Sequence, residues 1–312
     1  MIEISIVIPV YNSEGNVLEL YRQIVDSLKN ITHEVIFVND CSRDNSWLVL
    51  KQLAENNKNV IAVNLRKNVG QDNALMAGFR LVKGKYVVIM DDDLQHSPYD
   101  IEMLHSKIKE GFDICYANFN HRKHAVWKNI GSRFNGFLAN ILLKKPKNIY
   151  MSPFKIIDAD VVREISYQGP FPYVDGLILE ITHNITSIDV EHFERYKGKS
   201  NYNLLASITV FLKLLTSFSI IPLRFASIIG FLVAITGIGL GLYFMVDFFT
   251  YGKNPEGWTS LITTNLILGG LLLMSIGLIG EYLGRMYLLI NHKPQYVVKE
   301  VINNEFDTLE KG

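Results

Sequence analysis

Residues 225–246 carry no charge, and neither do residues 258–280. Each stretch exceeds the roughly 20 apolar residues that cross a hydrocarbon core about 30 Å thick, so the chain is expected to pass through a bilayer twice. The link between them, 247–257, holds Lys253 as its only cation, whereas Lys213, Arg224, Arg285 and Lys293 lie outside the pair. Because basic residues favour the cytoplasmic side, both termini are expected in the cytoplasm. Gly237-Ile238-Gly239-Leu240-Gly241 has superficial dinucleotide-site spacing but follows no strand; it reads, like Gly280 and Gly284, as a helix-packing surface.

The chain before residue 203 has another character. Its first residues open directly into a strand pattern, Ile4-Ser5-Ile6-Val7-Ile8-Pro9-Val10, so no cleavable signal is expected. Further strands are expected over 34–39, 60–65 and 85–90, each an apolar run rich in β-branched residues. Helices are expected between them, over 16–30, 47–56 and 70–82. Strands alternating with helices make βαβ units, hence an α/β fold with a mainly parallel sheet and helices on both faces. Cys41 and Cys115 fall in or beside these strands without metal-ligand spacing and read as reduced thiols. The charges balance, 31 basic against 31 acidic, and no basic field for nucleic acid arises.

Val87-Val88-Ile89-Met90 stops in Asp91-Asp92-Asp93 at the carboxyl end of its expected strand. In open α/β sheets that is where ligands bind. Three adjacent carboxylates repel one another, and a hard cation relieves them. Mg²⁺ or Mn²⁺ suits such a site, taking one or two carboxylates plus substrate phosphates. Asp91 and Asp93, two residues apart, can face one ion, while Asp92 points the other way. A solvated acidic turn is the plain alternative. Against it stand the polar edges at 11–14 and 40–46, which leave the same side of the sheet. Carboxylates without a glycine-rich phosphate loop suit a nucleotide whose diphosphate rides on a metal.

Four ordered motifs carry a resemblance. They are Ile6-Val7-Ile8-Pro9-Val10-Tyr11-Asn12-Ser13-Glu14, Val38-Asn39-Asp40-Cys41-Ser42-Arg43-Asp44, Asn68-Val69-Gly70-Gln71-Asp72-Asn73-Ala74 and Met90-Asp91-Asp92-Asp93-Leu94-Gln95. Together they resemble glycosyltransferase family 2, which has the GT-A fold. The tail motifs Glu281-Tyr282-Leu283-Gly284-Arg285 and Lys293-Pro294-Gln295-Tyr296 are similar to its polyprenyl-phosphate branch. The resemblance implies a nucleotide-sugar site of Pro9, Tyr11, Asn12, Glu14, Asp40, Asp72, Asp92 and Gln95, with the metal and diphosphate on Asp91 and Asp93. Asn39 departs from the aspartate common there, which moves the second-strand contact to Asp40. Asp158 resembles a position near the reacting centre and is the first candidate base, with Asp175 second; a capping role is the alternative for both.

Between residues 114 and 157 no acid occurs, while cations gather from Arg122 to Lys147 and apolar residues recur at helical spacing. The stretch reads either as a basic amphipathic element on a membrane surface or as an ordinary surface helix. Arg122, Lys128 and Arg133, with Arg195, Lys197 and Ser200 of a later cationic loop, are the candidates for gripping an acceptor phosphate. The organisation expected is a cytoplasmic GT-A domain over 1–202, interfacial helices over 203–223, a two-helix transmembrane hairpin over 224–290 and a cytoplasmic tail over 291–312.

The resemblance implies an inverting transfer of sugar from a nucleotide diphosphate donor to polyprenyl (undecaprenyl) phosphate, by a tetramer. UDP-glucose is favoured, with GDP-mannose, UDP-GlcNAc or a UDP-aminoarabinose derivative as alternatives. A processive synthase would need more spans, a nucleotidyltransferase has no use for the membrane tail, and a non-catalytic adaptor has no need of the acids.

Overall fold

The structure, a computed structural model, describes residues 2–119, 149–166, 172–190, 221–251, 257–290 and 294–303. It divides into one unit of residues 1–201 with 293–312 and a second of residues 202–292.

The first unit is built on one sheet of eight strands in the order β7-β5-β6-β4-β1-β2-β3-β8. Its strands are β1 (Ile4–Val10), β2 (His33–Asn39), β3 (Val60–Leu65), β4 (Tyr86–Ile89), β5 (Ile114–Phe119), β6 (Lys155–Asp158), β7 (Ile185–Val190) and β8 (Val298–Ile302). Neighbours β4, β1, β2 and β3 are parallel, as are β5 and β7; β6 and β8 run antiparallel to the strands beside them. The mainly parallel α/β sheet expected from the sequence is therefore present, with two reversed strands.

Every residue of β1 is buried, because both faces are covered. Alternation along the strand sends Ile4, Ile6, Ile8 and Val10 into the core shared with helices α1 (Val17–Ser27) and α2 (Ser46–Asn56). The intervening Val7 meets α3 (Gln71–Phe79) on the other face. That approach needs Gly78, since a Cβ there would run into Val7 and Val38. Helices α4 (Ile101–Ile108), α5 (Ala159–Ile165) and α6 (Val174–Ile181) also belong to the described part of this unit.

The stretch 291–312, read from sequence as a tail, contributes the outermost strand: β8 pairs with β3, Ala62 opposite Ile302 and Leu65 opposite Val298. Lys51 and Glu300 form an ion pair at 3.0 Å, and the Arg80 guanidinium lies 5.5 Å from the Tyr296 ring centroid.

The second unit holds α7 (Ile221–Tyr251) and α8 (Trp258–Ile290), which pack against each other. Among the described residues one stretch, Ile267–Gly284, is long and apolar enough to cross a membrane, with mean hydropathy 1.7 and none of it buried. In α7 the apolar stretch is the shorter Ala226–Gly237. Residues 120–148 and 191–220 lie outside the described residues, and with them Arg122, Lys128, Arg133, Arg195, Lys197, Ser200 and most of the expected interfacial segment.

Candidate active site at the strand rim

The carboxyl ends of β1, β2 and β4 form one rim, and each is followed by a residue in the left-handed region: Asn12 (φ 55°), Cys41 (φ 55°) and Leu94 (φ 60°). Non-glycine residues rarely adopt this conformation, and it turns each loop sharply as it leaves its strand.

These loops are laced together. Tyr11 N–H donates to Asp92 Oδ2 at 3.1 Å, and Asn16 Nδ2 donates to the Asp92 carbonyl at 3.3 Å. The β1 loop is tied to the β2 loop in both directions: Asn12 N–H donates to Ser42 Oγ (3.0 Å), and Arg43 N–H to Asn12 Oδ1 (2.8 Å). In the same way Glu14 N–H donates to Asp44 Oδ2 (3.1 Å), and Asn45 N–H to Glu14 Oε2 (2.8 Å). Asn12, Glu14 and Asp92 thus brace the rim through their own side chains, a use the sequence did not reveal. Pro9 is buried within β1, and Tyr11 is 44% exposed above it.

Asp40 accepts main-chain N–H bonds from Val69 (2.7 Å) and Gly70 (2.9 Å), while Asn68 Nδ2 donates to its carbonyl at 3.1 Å. It shapes the loop entering α3, where Gly70 has φ 87°, a conformation glycine adopts without penalty. Burial still pushes the Asp40 carboxyl above its ordinary range.

Asp91 is the most perturbed acid of the rim. Burial, then the charges of Asp93 and Asp92, push its carboxyl up to about 7, while Lys155 and a 2.7 Å bond from Gln71 Nε2 pull it down. Burial also raises Asp92, against bonds from Ser13 and Tyr11. Gln95 donates its main-chain N–H to Asp93 Oδ1 at 3.1 Å. Among the described residues no three His, Cys, Asp or Glu side chains gather as a complete metal set. The Asp91 and Asp93 pair is what could hold a divalent ion. Its half-buried, mutually repelling charge fits one whose remaining ligands are water and phosphate oxygens.

Beside the triplet lies a group that the sequence did not single out. Lys155 opens β6, flanked in the sheet by Ile89 and Tyr116, with 4% of its side chain exposed. Its ammonium pairs with Asp175 Oδ1 and sits 5.1 Å from the centre of the Tyr116 ring. Tyr116 Oη donates to the same Oδ1 at 3.0 Å. Asp72 accepts the Val174 N–H; burial, then the Asp175 charge, raise its carboxyl to about 6. The signal available in the sequence was a lone lysine in the apolar run Phe154-Lys155-Ile156-Ile157.

Asp158, the first candidate base, is not at this rim. Because β6 runs antiparallel to β4, Asp158 pairs with Tyr86, at the start of β4. Five residues of extended chain at about 3.3 Å each separate Tyr86 from Asp91, a span of about 16 Å. Asp158 instead caps α5, its Oδ1 accepting the Asp160 N–H at 2.8 Å. The expectation that it acts as base fails on the direction of its strand.

Residues 5–166 match the model of glycosyl transferase family 2, and residues 221–286 that of the GtrB C-terminal hairpin. The chain belongs to glycosyltransferase family 2. An uncharacterized glycosyltransferase of Synechocystis sp. is 32% identical over 99% of this chain and 99% of its own. An undecaprenyl-phosphate 4-deoxy-4-formamido-L-arabinose transferase of Shewanella sediminis is 31% identical over 97% of this chain and 93% of its own. Among solved structures, glucosyl-3-phosphoglycerate synthase from Mycobacterium tuberculosis in complex with phosphoglyceric acid superimposes with TM-score 0.52 at 18% identity, over 69% of this chain and 80% of its own. That likeness establishes the shared GT-A-like fold.

Proposed function

We propose that the protein transfers a sugar from a nucleotide diphosphate donor to polyprenyl phosphate in a lipid bilayer. The observation that carries this reading is where the chain leaves and re-enters the sheet unit. β5 and β7 are parallel to β4 and end at the acidic rim, and β8 begins there, Val298 opposite Leu65. Arg122 follows Phe119 by three residues and Arg195 follows Val190 by five. Cations suited to a phosphate thus follow closely in sequence on strands that end at the rim where Asp91 and Asp93 stand.

A bilayer crossed twice belongs to this reading, with Ile267–Gly284 as one span and α7 as the other. Self-association, as a tetramer, belongs to the same reading.

Asp91 and Asp93 would hold Mg²⁺ or Mn²⁺, which when bound supplies positive charge to the leaving diphosphate. Tyr11 and the loop shaped by Asp40 receive the nucleoside. The basic residues orient the acceptor phosphate on the opposite face of the sugar, and its oxygen forms a bond to the anomeric carbon as the bond to the diphosphate breaks, with inversion. With a second pKa of about 6 the acceptor is already largely ionised at pH 7, so orientation counts for more than proton removal. If a base is needed, Asp175 is the acid at the correct rim.

UDP-glucose is the first donor to test. The names of the Shewanella and Pseudomonas relatives favour a second transferred sugar, 4-deoxy-4-formamido-L-arabinose, to be tested as its nucleotide diphosphate. The test is transfer of labelled sugar by the reconstituted full chain to undecaprenyl phosphate in liposomes. Label in a single-sugar lipid is expected; polymer, pyrophosphate release or no transfer from any donor would contradict the proposal.

A further inference from the structure

Asp40 and Asp91 follow β2 and β4, with β1 between those strands in the sheet. Neighbouring strands are about 4.8 Å apart, so about 10 Å separates the two strand ends. One short stretch of chain touches both acids. Val69 and Gly70 give their N–H groups to the Asp40 carboxylate, and the next side chain, Gln71, donates Nε2 to Asp91 Oδ1 at 2.7 Å. The stretch is fixed from its other side as well. Asn73 Nδ2 donates to the Val69 carbonyl at 2.9 Å, Ala74 N–H donates to the Gly70 carbonyl at 3.0 Å, and residues 74–79 of α3 are buried. Gln71 is exposed, so it adds little to the core.

We infer that Gln71 is a positioning residue: it holds Oδ1 of Asp91 and keeps the other carboxylate oxygen available to a divalent ion. The inference rests on the reading of Asp91 and Asp93 as the residues that hold that ion. An aspartate without such a partner samples several rotamers, and repulsion from Asp92 and Asp93 favours those that turn it away from them. A glutamine amide fixes the carboxylate and leaves its charge intact, whereas a lysine or arginine in that place would offset the charge that attracts the ion. Side chains that bond a metal-holding group, without touching the metal, typically change metal affinity by about 10- to 100-fold. The start of the Gln71 side chain is set in turn by the clamp of Val69 and Gly70 on Asp40, which ties the geometry of the acid pair to the loop after β2.

The test is Gln71→Met, which keeps the length and helix propensity of the side chain and removes its donor. Mn²⁺ is titrated into the UDP-saturated full chain in detergent and followed by calorimetry; UDP binding and the melting temperature are measured in EDTA. The variant should bind Mn²⁺ about tenfold more weakly, with UDP affinity and melting temperature in EDTA as in the wild type. Turnover should need correspondingly more Mn²⁺ and recover when it is supplied. In an Asp91→Asn background, where the held carboxylate is gone, Gln71→Met should change turnover less than about twofold, because the two replacements act on one bond. Unchanged Mn²⁺ affinity, an equal loss of UDP binding in EDTA, or a further tenfold loss of turnover in the Asp91→Asn background overturns the positioning role while the acid pair stands. Failure of the wild type to bind Mn²⁺ in the presence of UDP overturns the metal reading beneath it.

Discussion

Lys155 and Asp158 stand at the two ends of one four-residue strand and therefore at opposite rims of the sheet, Lys155 opposite Ile89 and Asp158 opposite Tyr86. Reversal of β6 carries a lysine to the acids and takes an aspartate away from them. Replacing Asp158 with Ala should remove the cap of α5, costing about 1 kcal/mol of stability, and leave sugar transfer at the wild-type rate. Denaturant unfolding and the transfer assay check the two halves; a large loss of turnover in a stable variant would return Asp158 to the chemistry.

Asp91→Asn and Asp93→Ala act where leaving-group charge develops. Each should lower turnover by about 10² to 10³, the usual cost of losing one electrostatic stabiliser of the transition state. Chelation of divalent ions should reproduce the loss in the wild type and add little in either variant. Rates with and without EDTA settle this.

The raised carboxyls give the protein a pH signature. Asp91 moves from an ordinary value near 3.8 to about 7 and Asp72 to about 6, so the folded chain binds more protons than the unfolded chain between these limits. Their contribution to stability is full in acid and is lost as pH rises through 6 to 7. In EDTA the melting temperature should fall between pH 5.5 and pH 8, and added Mn²⁺ should raise it more at pH 8. Asp91→Asn should flatten both trends.

The bond from Tyr11 N–H to Asp92 Oδ2 joins the loop after β1 to the loop after β4. Asp92→Ala removes a charged acceptor, an interaction worth about 2 kcal/mol. The expected result is a higher KM for the donor with the KM for polyprenyl phosphate unchanged; equal change in both would mean a general loss of structure.

Removal of residues 294–312 strips β8 from β3 and leaves an apolar edge open to pairing with other chains. The shortened chain should aggregate in detergent, as followed by gel filtration. Lys51→Ala removes only the half-exposed ion pair with Glu300 and should cost less than about 1 kcal/mol.

The strands β1 to β4 were legible because both faces are buried, which writes them as unbroken apolar runs, and each ends in polar residues that announce the rim. The acid triplet was legible for the same reason. Strand direction was not: Lys155 and Asp158 read alike from sequence whichever way β6 runs, and pairing across the sheet decides which one meets Asp91. Nor does a sequence show that Asn12, Glu14 and Asp92 spend their side chains bracing loops, since those bonds join residues about 30 to 80 positions apart. That Lys155 and Tyr116 join Asp175 stayed hidden likewise, the three coming from β6, β5 and α6.

Transfer at this rim depends on a divalent ion gathered by Asp91 and Asp93 beside the nucleoside loops. A crystal of the full chain grown with Mn²⁺ and UDP, measured at the manganese absorption edge, tests this most directly. One anomalous peak is expected about 2.1 Å from carboxylate oxygens of Asp91 or Asp93 and in contact with the diphosphate. UDP bound with its diphosphate elsewhere, or manganese on other residues, would contradict it.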